Sequence, residues 1–242
     1  MNTATTKRRR RRVLIAAVLA LVLGATGLYR LMNARSFQLA GELTHRVPTA
    51  EKVVALTFDD GPGEQTGEII ATLAEQRVRA TFYVNGAQVA ARPQDAKALV
   101  AAGHELGNHT YSHRRMVFVT SSTVAEEVER TDAAIRSAGQ RGDITFRPPT
   151  GKKLLALPLY LARTQRHTVM WDVEADSGTT PTAAEIVAAV REQTRPGSII
   201  LLHPWFGGGA NTRAALPGLV AGLREQGYRF VTVSELLALR DR

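Results

Sequence analysis

Short apolar runs rich in β-forming residues alternate with amphipathic stretches from residue 53 to the end of the chain. The runs predict strands, and apolar positions three and four residues apart predict helices. The predicted strands are Val53–Phe58, Ala80–Val84, Glu105–Asn108, Ile144–Phe146, Thr168–Trp171, Ser198–Leu202 and Arg229–Val233. The predicted helices are Glu68–Gln76, Pro93–Ala102, Thr123–Ser137, Leu155–Arg163, Ala183–Thr194, Thr212–Glu225 and Ser234–Leu239. This alternation indicates an α/β fold of parallel strands and helical crossovers, with about seven units of a (β/α) barrel.

The N-terminal region has a different pattern. A basic cluster, Lys7–Arg12, precedes the uncharged apolar run Val13–Tyr29, which is long enough to cross a bilayer as a short helix. Positive charge before the run keeps the N-terminus inside and sends the rest of the chain across. A cleaved signal peptide is the alternative, because Ala25–Gly27 offers small residues at a possible cleavage site. We favour a single-pass protein of the cytoplasmic membrane with an extracytoplasmic domain.

These patterns divide the chain into a basic tail at 1–12, an anchor helix at 13–31, a linker or capping segment at 32–52 and a catalytic domain at 53–242. The net charge is +9, but Lys7–Arg12, Arg30 and Arg35 supply eight of these charges, so +1 remains for the rest of the chain. A nucleic-acid partner would need the surplus on the folded surface, so we expect none. The chain has no cysteine, so any metal must be held by His, Asp or Glu.

Acids, histidines and an arginine follow the predicted strands where each strand ends. They are Asp59, Asp60, His109, His113, Arg147, Asp176 and His203. In a (β/α) barrel the C-terminal ends of the strands converge on the face that carries the active site. The sequence therefore predicts one shared pocket, with the residue types of a metal-dependent hydrolase.

His109 and His113 are four residues apart. In an extended strand their Cα atoms would be about 13 Å apart, whereas a helical turn brings the Cβ atoms to about 6 Å. We therefore expect a helical turn if the pair binds one ion. Two neutral imidazoles need an anionic third ligand, and three ligands leave a zinc ion open to water and substrate. Taken alone, two histidines at this spacing are more often unrelated surface residues than ligands of one metal ion.

Asp59 and Asp60 are adjacent carboxylates at the end of an apolar strand. Asp60 followed by Gly-Pro favours a turn, which leaves Asp59 without a structural explanation. Because successive side chains diverge at a strand end, one carboxylate can bind a metal while the other acts as a general base.

His203 ends the most apolar strand, where a buried histidine bonded to the backbone is an equally good interpretation. Asp176 could orient this imidazole, as carboxylates do in catalytic triads, with Asp172 and Glu174 as competitors. Trp205 suits an aromatic rim on which a sugar could stack.

Together these segments resemble the polysaccharide deacetylase family, carbohydrate esterase family four. Its five motifs are matched in order by TFDDGP at Thr57–Pro62, HTYSH at His109–His113, RPP at Arg147–Pro149, the acidic stretch Asp172–Asp176 and LLH at Leu201–His203. The resemblance covers the chain from about Val53 to Leu239. It implies a distorted (β/α) barrel.

The resemblance also implies roles for the matched residues. The ligands of a divalent metal, most simply zinc, would be Asp60, His109 and His113. Asp59 would be the catalytic base and His203 the general acid. Arg147 would hold Asp59, and Asp176 would tune His203. The backbone N–H of Thr150 would help to stabilise the oxyanion.

We therefore expect a membrane-anchored hydrolase that removes N-acetyl groups from an amino-sugar polysaccharide, with peptidoglycan ahead of chitin-like glycans as substrate. One alternative is an O-acetyl esterase acting on a polysaccharide such as acetylated xylan. Its alkoxide leaving group depends less on a proton from the general acid. Another is a catalytically silent carbohydrate-binding domain, against which the retention of Asp59, Asp60, His109, His113 and His203 argues.

Overall fold

The structure, a computed structural model, describes residues 3–178, 181–205 and 209–240. The strands in these ranges are β1 (Leu43–Thr44), β2 (Val53–Gly61), β3 (Thr81–Val84), β4 (Glu105–Asn108), β5 (Thr168–Val169), β6 (Val173–Glu174), β7 (Ile199–Leu202) and β8 (Arg229–Val231). The helices are α1 (Thr3–Met32), α2 (Thr66–Glu75), α3 (Gly86–Ala91), α4 (Pro93–Ala101), α5 (Ser121–Ser137), α6 (Ala156–Arg163), α7 (Ala183–Gln193), α8 (Gly209–Glu225) and α9 (Val233–Leu237).

β2 is the central strand of the sheet. It pairs in parallel with β3, β7 and β8, and β4 and β6 follow further out. Val54, Leu56 and Phe58 pack against the surrounding helices, whereas Val53 and Ala55 face the barrel interior. Because side chains alternate across a strand and both faces of β2 are covered, it is apolar along most of its length.

Phe146 closes the barrel. It forms one parallel bridge with Asn108 at the end of β4 and another with Thr168 at the start of β5. The chain continues from β5 into β6, which pairs with β7, and β7 returns to β2. The ring is thus completed by short strands and single bridges, which confirms the expected distorted (β/α) barrel.

Several predicted elements differ from the structure. Ile144–Phe146 forms only bridges at Phe146, and the strand predicted at Thr168–Trp171 stops at Val169. The reason is that the carbonyl groups of Val169 and Met170 accept hydrogen bonds from the Arg147 guanidinium, so they do not continue the sheet pairing. The short helix α3 was not predicted.

The predicted N-terminus of α5 is also wrong. The helix begins at Ser121, and the side chain of Thr120 accepts a hydrogen bond from the backbone N–H of Thr123. Thr120 is therefore the capping residue, and Thr123 belongs to the first turn.

Residues 32–52 were predicted as a linker or a capping segment. In the structure they pack on the barrel, as a capping segment does. β1 pairs with β5, Val47 is fully buried, and the Val47 N–H donates to the carbonyl of Gly197. A two-residue strand leaves no recognisable periodicity in the sequence, so the pairing was not predictable from local pattern.

α1 contains the basic cluster and the apolar run in one continuous helix of 30 residues. Within the described part of the chain, Lys7–Met32 is the one helix long and apolar enough to cross a membrane, and its most apolar 18-residue window has a mean hydropathy of 2.0. None of its most apolar window is covered by the rest of the protein. A span or a signal sequence both fit these properties.

We expect Gly197→Ala to lower the free energy of unfolding by about 3 kcal/mol. Gly197 has φ +78°, and an added Cβ would lie 1.8 Å from the carbonyl oxygen of Val47, so the backbone of the capping segment would have to move. Gly142→Ala is the matched control, because Gly142 has φ +74° but nothing within 4 Å of an added Cβ. Urea unfolding of the detergent-solubilised chain should show a clearly larger loss for Gly197→Ala. Equal losses would contradict the steric explanation.

Candidate active site

The strand ends of the barrel surround a cavity of about 410 Å³. Residues from several strand ends and loops line it, together with two residues that follow α1. The lining residues are Asn33, Arg35, Asp59, Asp60, His109, His113, Thr150, Gly151, Trp171, Glu174, Ser177, Leu201 and His203. The cavity therefore contains most of the polar residues that the sequence placed at strand ends.

A bulge in β2 sends the two adjacent aspartates in different directions. The pairing of β2 with β3 shifts register between Asp59 and Gly61, and Asp60 has φ 74°. Bulges are frequent beside active sites because they redirect a side chain. Here the bulge gives the two carboxylates different main partners: Asp59 pairs with Arg147, and Asp60 pairs with His113.

Asp59 forms a buried ion pair with Arg147. Oδ1 of Asp59 lies 2.7 Å from the Arg147 guanidinium, which also donates to the Thr57 hydroxyl and to two backbone carbonyls. Both side chains are almost completely buried. Burial raises the pKa of Asp59 above the ordinary aspartate value, while the positive charges of Arg147 and His203 oppose that rise. One oxygen is thus held in place, and Oδ2 faces the site, 3.6 Å from Nε2 of His109.

His109 and His113 are brought together by a bend, not by the helical turn that the spacing predicted. Thr110 has φ 67° and His113 has φ 57°, so the chain doubles back and the imidazole centroids lie 5.1 Å apart. Such φ values are rare for residues with a Cβ and are concentrated at functional sites. No periodicity in the sequence indicates them.

Glu127 on α5 holds this bend and was missed in the sequence. Its carboxylate accepts hydrogen bonds from the backbone N–H groups of Tyr111 and Ser112, each at 2.8 Å, and from the Ser112 hydroxyl. The side-chain oxygen of Asn108 accepts a further hydrogen bond from the backbone N–H of Thr110. The helical pattern around Glu127 predicts an acid that faces solvent. It gives no sign that this acid contacts a loop sixteen residues earlier in the chain.

Asp60, His109 and His113 offer three ligand atoms that lie within 4.8 Å of one another. Nε2 of His113 is 3.1 Å and Nε2 of His109 is 3.6 Å from Oδ1 of Asp60. That oxygen is buried and makes no hydrogen bond within the described residues. A buried acceptor without a donor is costly unless a cation completes it. The three residues therefore fit a divalent metal.

The state of His109 suits a metal ligand. Its Nδ1–H donates to the carbonyl of Arg147 at 2.8 Å, which leaves Nε2 as the free nitrogen facing Asp60. Burial lowers the pKa of His109 to about 3, so the ring is neutral at physiological pH. In histidines bound to metals, the ring nitrogen that does not bind the metal typically donates such a hydrogen bond, which fixes the tautomer.

His203 lines the same cavity and is held by Asp176. Its Nδ1–H donates to Oδ1 of Asp176 at 3.2 Å, and Oδ2 of Asp176 accepts from the Thr212 hydroxyl. Burial acts to lower the pKa of His203, but the hydrogen bond to Asp176 and the charges of Asp59, Asp176 and Asp60 outweigh it and raise the pKa to about 9. The other acids considered for this role bond other groups: Asp172 bonds Ser198 and Ile199, and Glu174, which also lines the cavity, bonds Trp171.

Thr150 lies at the wall of the cavity, whereas Trp205 lies in the core. Thr150 is exposed at the cavity wall with φ 56°, in a short turn after Arg147–Pro149. Trp205 is only 6 % exposed and packs against Phe82 in the core. Its ring also lies under Gly61, where an added Cβ would be 2.5 Å from it. The tryptophan therefore supports the loop after β2 and is not the exposed rim that the sequence predicted.

Asn33 and Arg35 in the cavity wall were also missed, since their segment was predicted as a linker. Arg35 forms an ion pair with Glu174 at 2.6 Å, and its guanidinium lies 4.8 Å from the centre of the Trp171 ring. The two residues after α1 are thus part of the site.

Comparisons with known proteins agree with this geometry. The sequence profile described as polysaccharide deacetylase matches residues 46–169. A peptidoglycan-N-acetylglucosamine deacetylase of Bacillus cereus is 33% identical over 209 residues, which cover 84% of this chain and 96% of the relative. A crystal structure of a peptidoglycan N-acetylglucosamine deacetylase in complex with 4-naphthalen-1-yl-N-oxidanyl-benzamide has a TM-score of 0.77 and 29% identity, covering 80% of this chain and 92% of that chain.

A pseudoenzyme of carbohydrate esterase family 4 from Bacillus anthracis is similar as well. It has a TM-score of 0.74 and 29% identity, and the match covers 82% of this chain and 70% of that chain. The fold is therefore shared by active and inactive proteins, and activity has to be argued from the site. Because the family profile matches half of the sequence and a relative 33% identical is covered almost completely, this chain belongs to the polysaccharide deacetylase family.

Proposed function

We propose that this protein removes N-acetyl groups from peptidoglycan at the outer face of the cytoplasmic membrane, and that it uses a divalent metal, most simply zinc. Membership of the family supports polysaccharide deacetylation. The observation that carries the finer proposal is the common cavity of Asp59, the Asp60–His109–His113 cluster and His203. A base, a metal site and an acid within one pocket are the parts that amide hydrolysis needs.

Asp60, His109 and His113 would hold the metal. Two imidazoles and one carboxylate form a donor set that zinc accepts in catalytic sites, with a position left open. When bound, such an ion acts as a Lewis acid toward the acetamide carbonyl and the attacking water.

The proton transfers are assigned to Asp59 and His203. Oδ2 of Asp59 accepts the proton of the attacking water, while Arg147 keeps Oδ1 in place. His203 keeps its Nδ1–H on Asp176, so Nε2 is the nitrogen that donates a proton to the departing amine. The backbone N–H of Thr150, at the cavity wall, is proposed to stabilise the oxyanion.

The Bacillus cereus relative, which is named for action on peptidoglycan N-acetylglucosamine, favours the same substrate here. α1 supports the location, because a basic cluster followed by an apolar helix is the pattern of chains whose following domain is moved across the membrane.

The direct test is release of acetate from peptidoglycan and from chitin oligomers, with and without a chelator. We expect release from peptidoglycan that the chelator abolishes. His203→Ala should slow amide hydrolysis far more than hydrolysis of an acetate ester, because an amine leaves poorly without a proton. Equal losses on both substrates would contradict the role of His203. Release from acetylated xylan alone would favour the esterase alternative, and no release at all would favour the silent domain.

We expect a bell-shaped pH dependence of kcat/KM. Asp59 must be ionised, so activity falls as the pH drops through its pKa, which burial raises above the ordinary range. His203 must be protonated, so activity is present below its pKa of about 9 and is lost above it.

Asp176→Asn should move the alkaline limb of this profile to lower pH. Asp176 raises the pKa of His203 through its hydrogen bond and its charge, and the amide removes the charge. Thr212→Val is the control, because it removes a hydrogen bond to Asp176 and leaves the carboxylate charged. An alkaline limb that stays in place in Asp176→Asn would show that Asp176 does not tune His203.

A further inference from the structure

Five large apolar side chains outside α1 are exposed in the described parts of the chain. They are Phe37, Leu39, Phe118, Leu155 and Leu159, and Phe118 is 76 % exposed. We call these five residues the anchor-side patch. Single exposed apolar residues are normal, but a group at one place marks an interaction surface.

The five residues lie on neighbouring segments. Lys153 donates from Nζ to the carbonyl of Ala34, and Gly41 lies against Ala162, with an added Cβ 3.2 Å from its Cα. Residues 34–41 therefore run beside residues 153–162, which places Phe37 and Leu39 alongside α6. Leu155 and Leu159 are one turn apart, joined by the hydrogen bond from the Leu159 N–H to the Leu155 carbonyl.

Phe118 reaches the same place through a different loop. Met116, two residues before it, forms a parallel bridge with Lys153. The two residues before Met116, Arg114 and Arg115, are exposed and add positive charge within four residues of Phe118 in the chain. The patch thus combines apolar side chains with cations.

The segments that carry the patch lie next to the point where α1 joins the barrel. The N–H of Lys153 donates to the carbonyl of Met32, and the Lys152 ammonium bonds Asn33 and lies 5.7 Å from the centre of the Tyr29 ring. From Tyr29 to Met32 the helix rises by about 4.5 Å. With Val13–Tyr29 in the bilayer, the patch lies at the level of the lipid headgroups.

We propose that the anchor-side patch is a membrane-docking surface whose partner is the bilayer that holds α1. Apolar side chains enter the boundary between headgroups and acyl chains, and flanking Arg and Lys side chains contact anionic lipid. The proposal rests on the membrane placement of α1 given above. Because Asn33 and Arg35 line the cavity, docking also fixes the catalytic cleft beside the membrane surface.

The absence of native cysteines permits a direct test with single labels on the full chain. Phe118→Cys and Leu159→Cys carry an environment-sensitive fluorophore, in nanodiscs of phosphatidylethanolamine and phosphatidylglycerol with or without lipids bearing a headgroup nitroxide. Ala184→Cys, exposed on α7, is the control. We expect both patch labels to be quenched severalfold more than the control label.

The outcomes are distinct. Quenching at Phe118 and Leu159 no greater than at Ala184 would overturn the proposal. Blue-shifted emission without quenching by nitroxide lipid would also overturn it, since a second copy of the chain would then cover the patch. The readout does not need catalysis, so a deacetylase-negative protein with quenched patch labels would refute the proposed activity alone. Failure of the chain to enter nanodiscs would refute the membrane placement of α1 and would overturn the docking proposal with it.

Discussion

Asp59→Asn is expected to lower kcat by about three orders of magnitude and to leave the metal content unchanged. Asn has the size of Asp, and its oxygen can still accept the hydrogen bond from Arg147. It cannot take a proton from the attacking water, so the base is lost while the geometry is kept. Arg147 retains Thr57 and the carbonyls of Val169 and Met170 as acceptors, which limits the cost to stability. Acetate release and elemental analysis of the same preparation measure both quantities.

Asp60→Asn is the matched control for this prediction. The substitution removes the same charge from the neighbouring residue. The Asp60 carboxylate faces the two histidines, so this variant should lose the metal together with activity. If Asp59→Asn lost the metal while Asp60→Asn stayed fully active, the roles of the two aspartates would be reversed.

Removal of the metal should have a comparably large effect. We expect about one divalent ion per wild-type chain, zinc in the simplest case, and neither bound ion nor measurable deacetylation in His113→Ala. His113 is the better choice for substitution, because its side chain is 38% exposed, whereas His109 is buried and bonded to the Arg147 carbonyl. Elemental analysis, chelation and zinc add-back are the measurements.

Zinc should restore the chelated wild type but not His113→Ala. His45→Ala serves as the control, because His45 lies outside the cavity and its loss should change neither metal content nor rate. A metal-free wild-type protein with undiminished activity would end the proposal of metal dependence.

The sequence was sufficient to predict the barrel and the residues of the cavity with proposed catalytic or metal-binding roles. Apolar runs such as Val53–Phe58 report burial directly, and parallel strands bring their polar C-terminal ends to one face whatever lies between them. The grouping of Asp59, His109 and His203 in one cavity follows from that rule.

What the sequence did not predict depends on backbone conformation or on contacts between distant segments. The bulge at Asp60 and the left-handed residues Thr110 and His113 have no periodic signature, so the route by which the ligands meet was expected to be a helical turn. Glu127 stabilises the histidine bend from a different element, the helix α5. Trp205 was expected at the surface because a strand-end aromatic looks the same whether it faces sugar or core.

The hydrogen bonds between Met32–Ala34 and Lys152–Lys153 leave no free tether between the anchor and the barrel. If α1 spans the bilayer, as proposed above, the barrel would move sideways with the membrane and would be unable to swing outward. The proposed peptidoglycan substrate would then be modified only while it lies against the membrane, at the time of its synthesis, and older layers further out would be inaccessible. The distribution of free amines across the wall would then record the age of each strand.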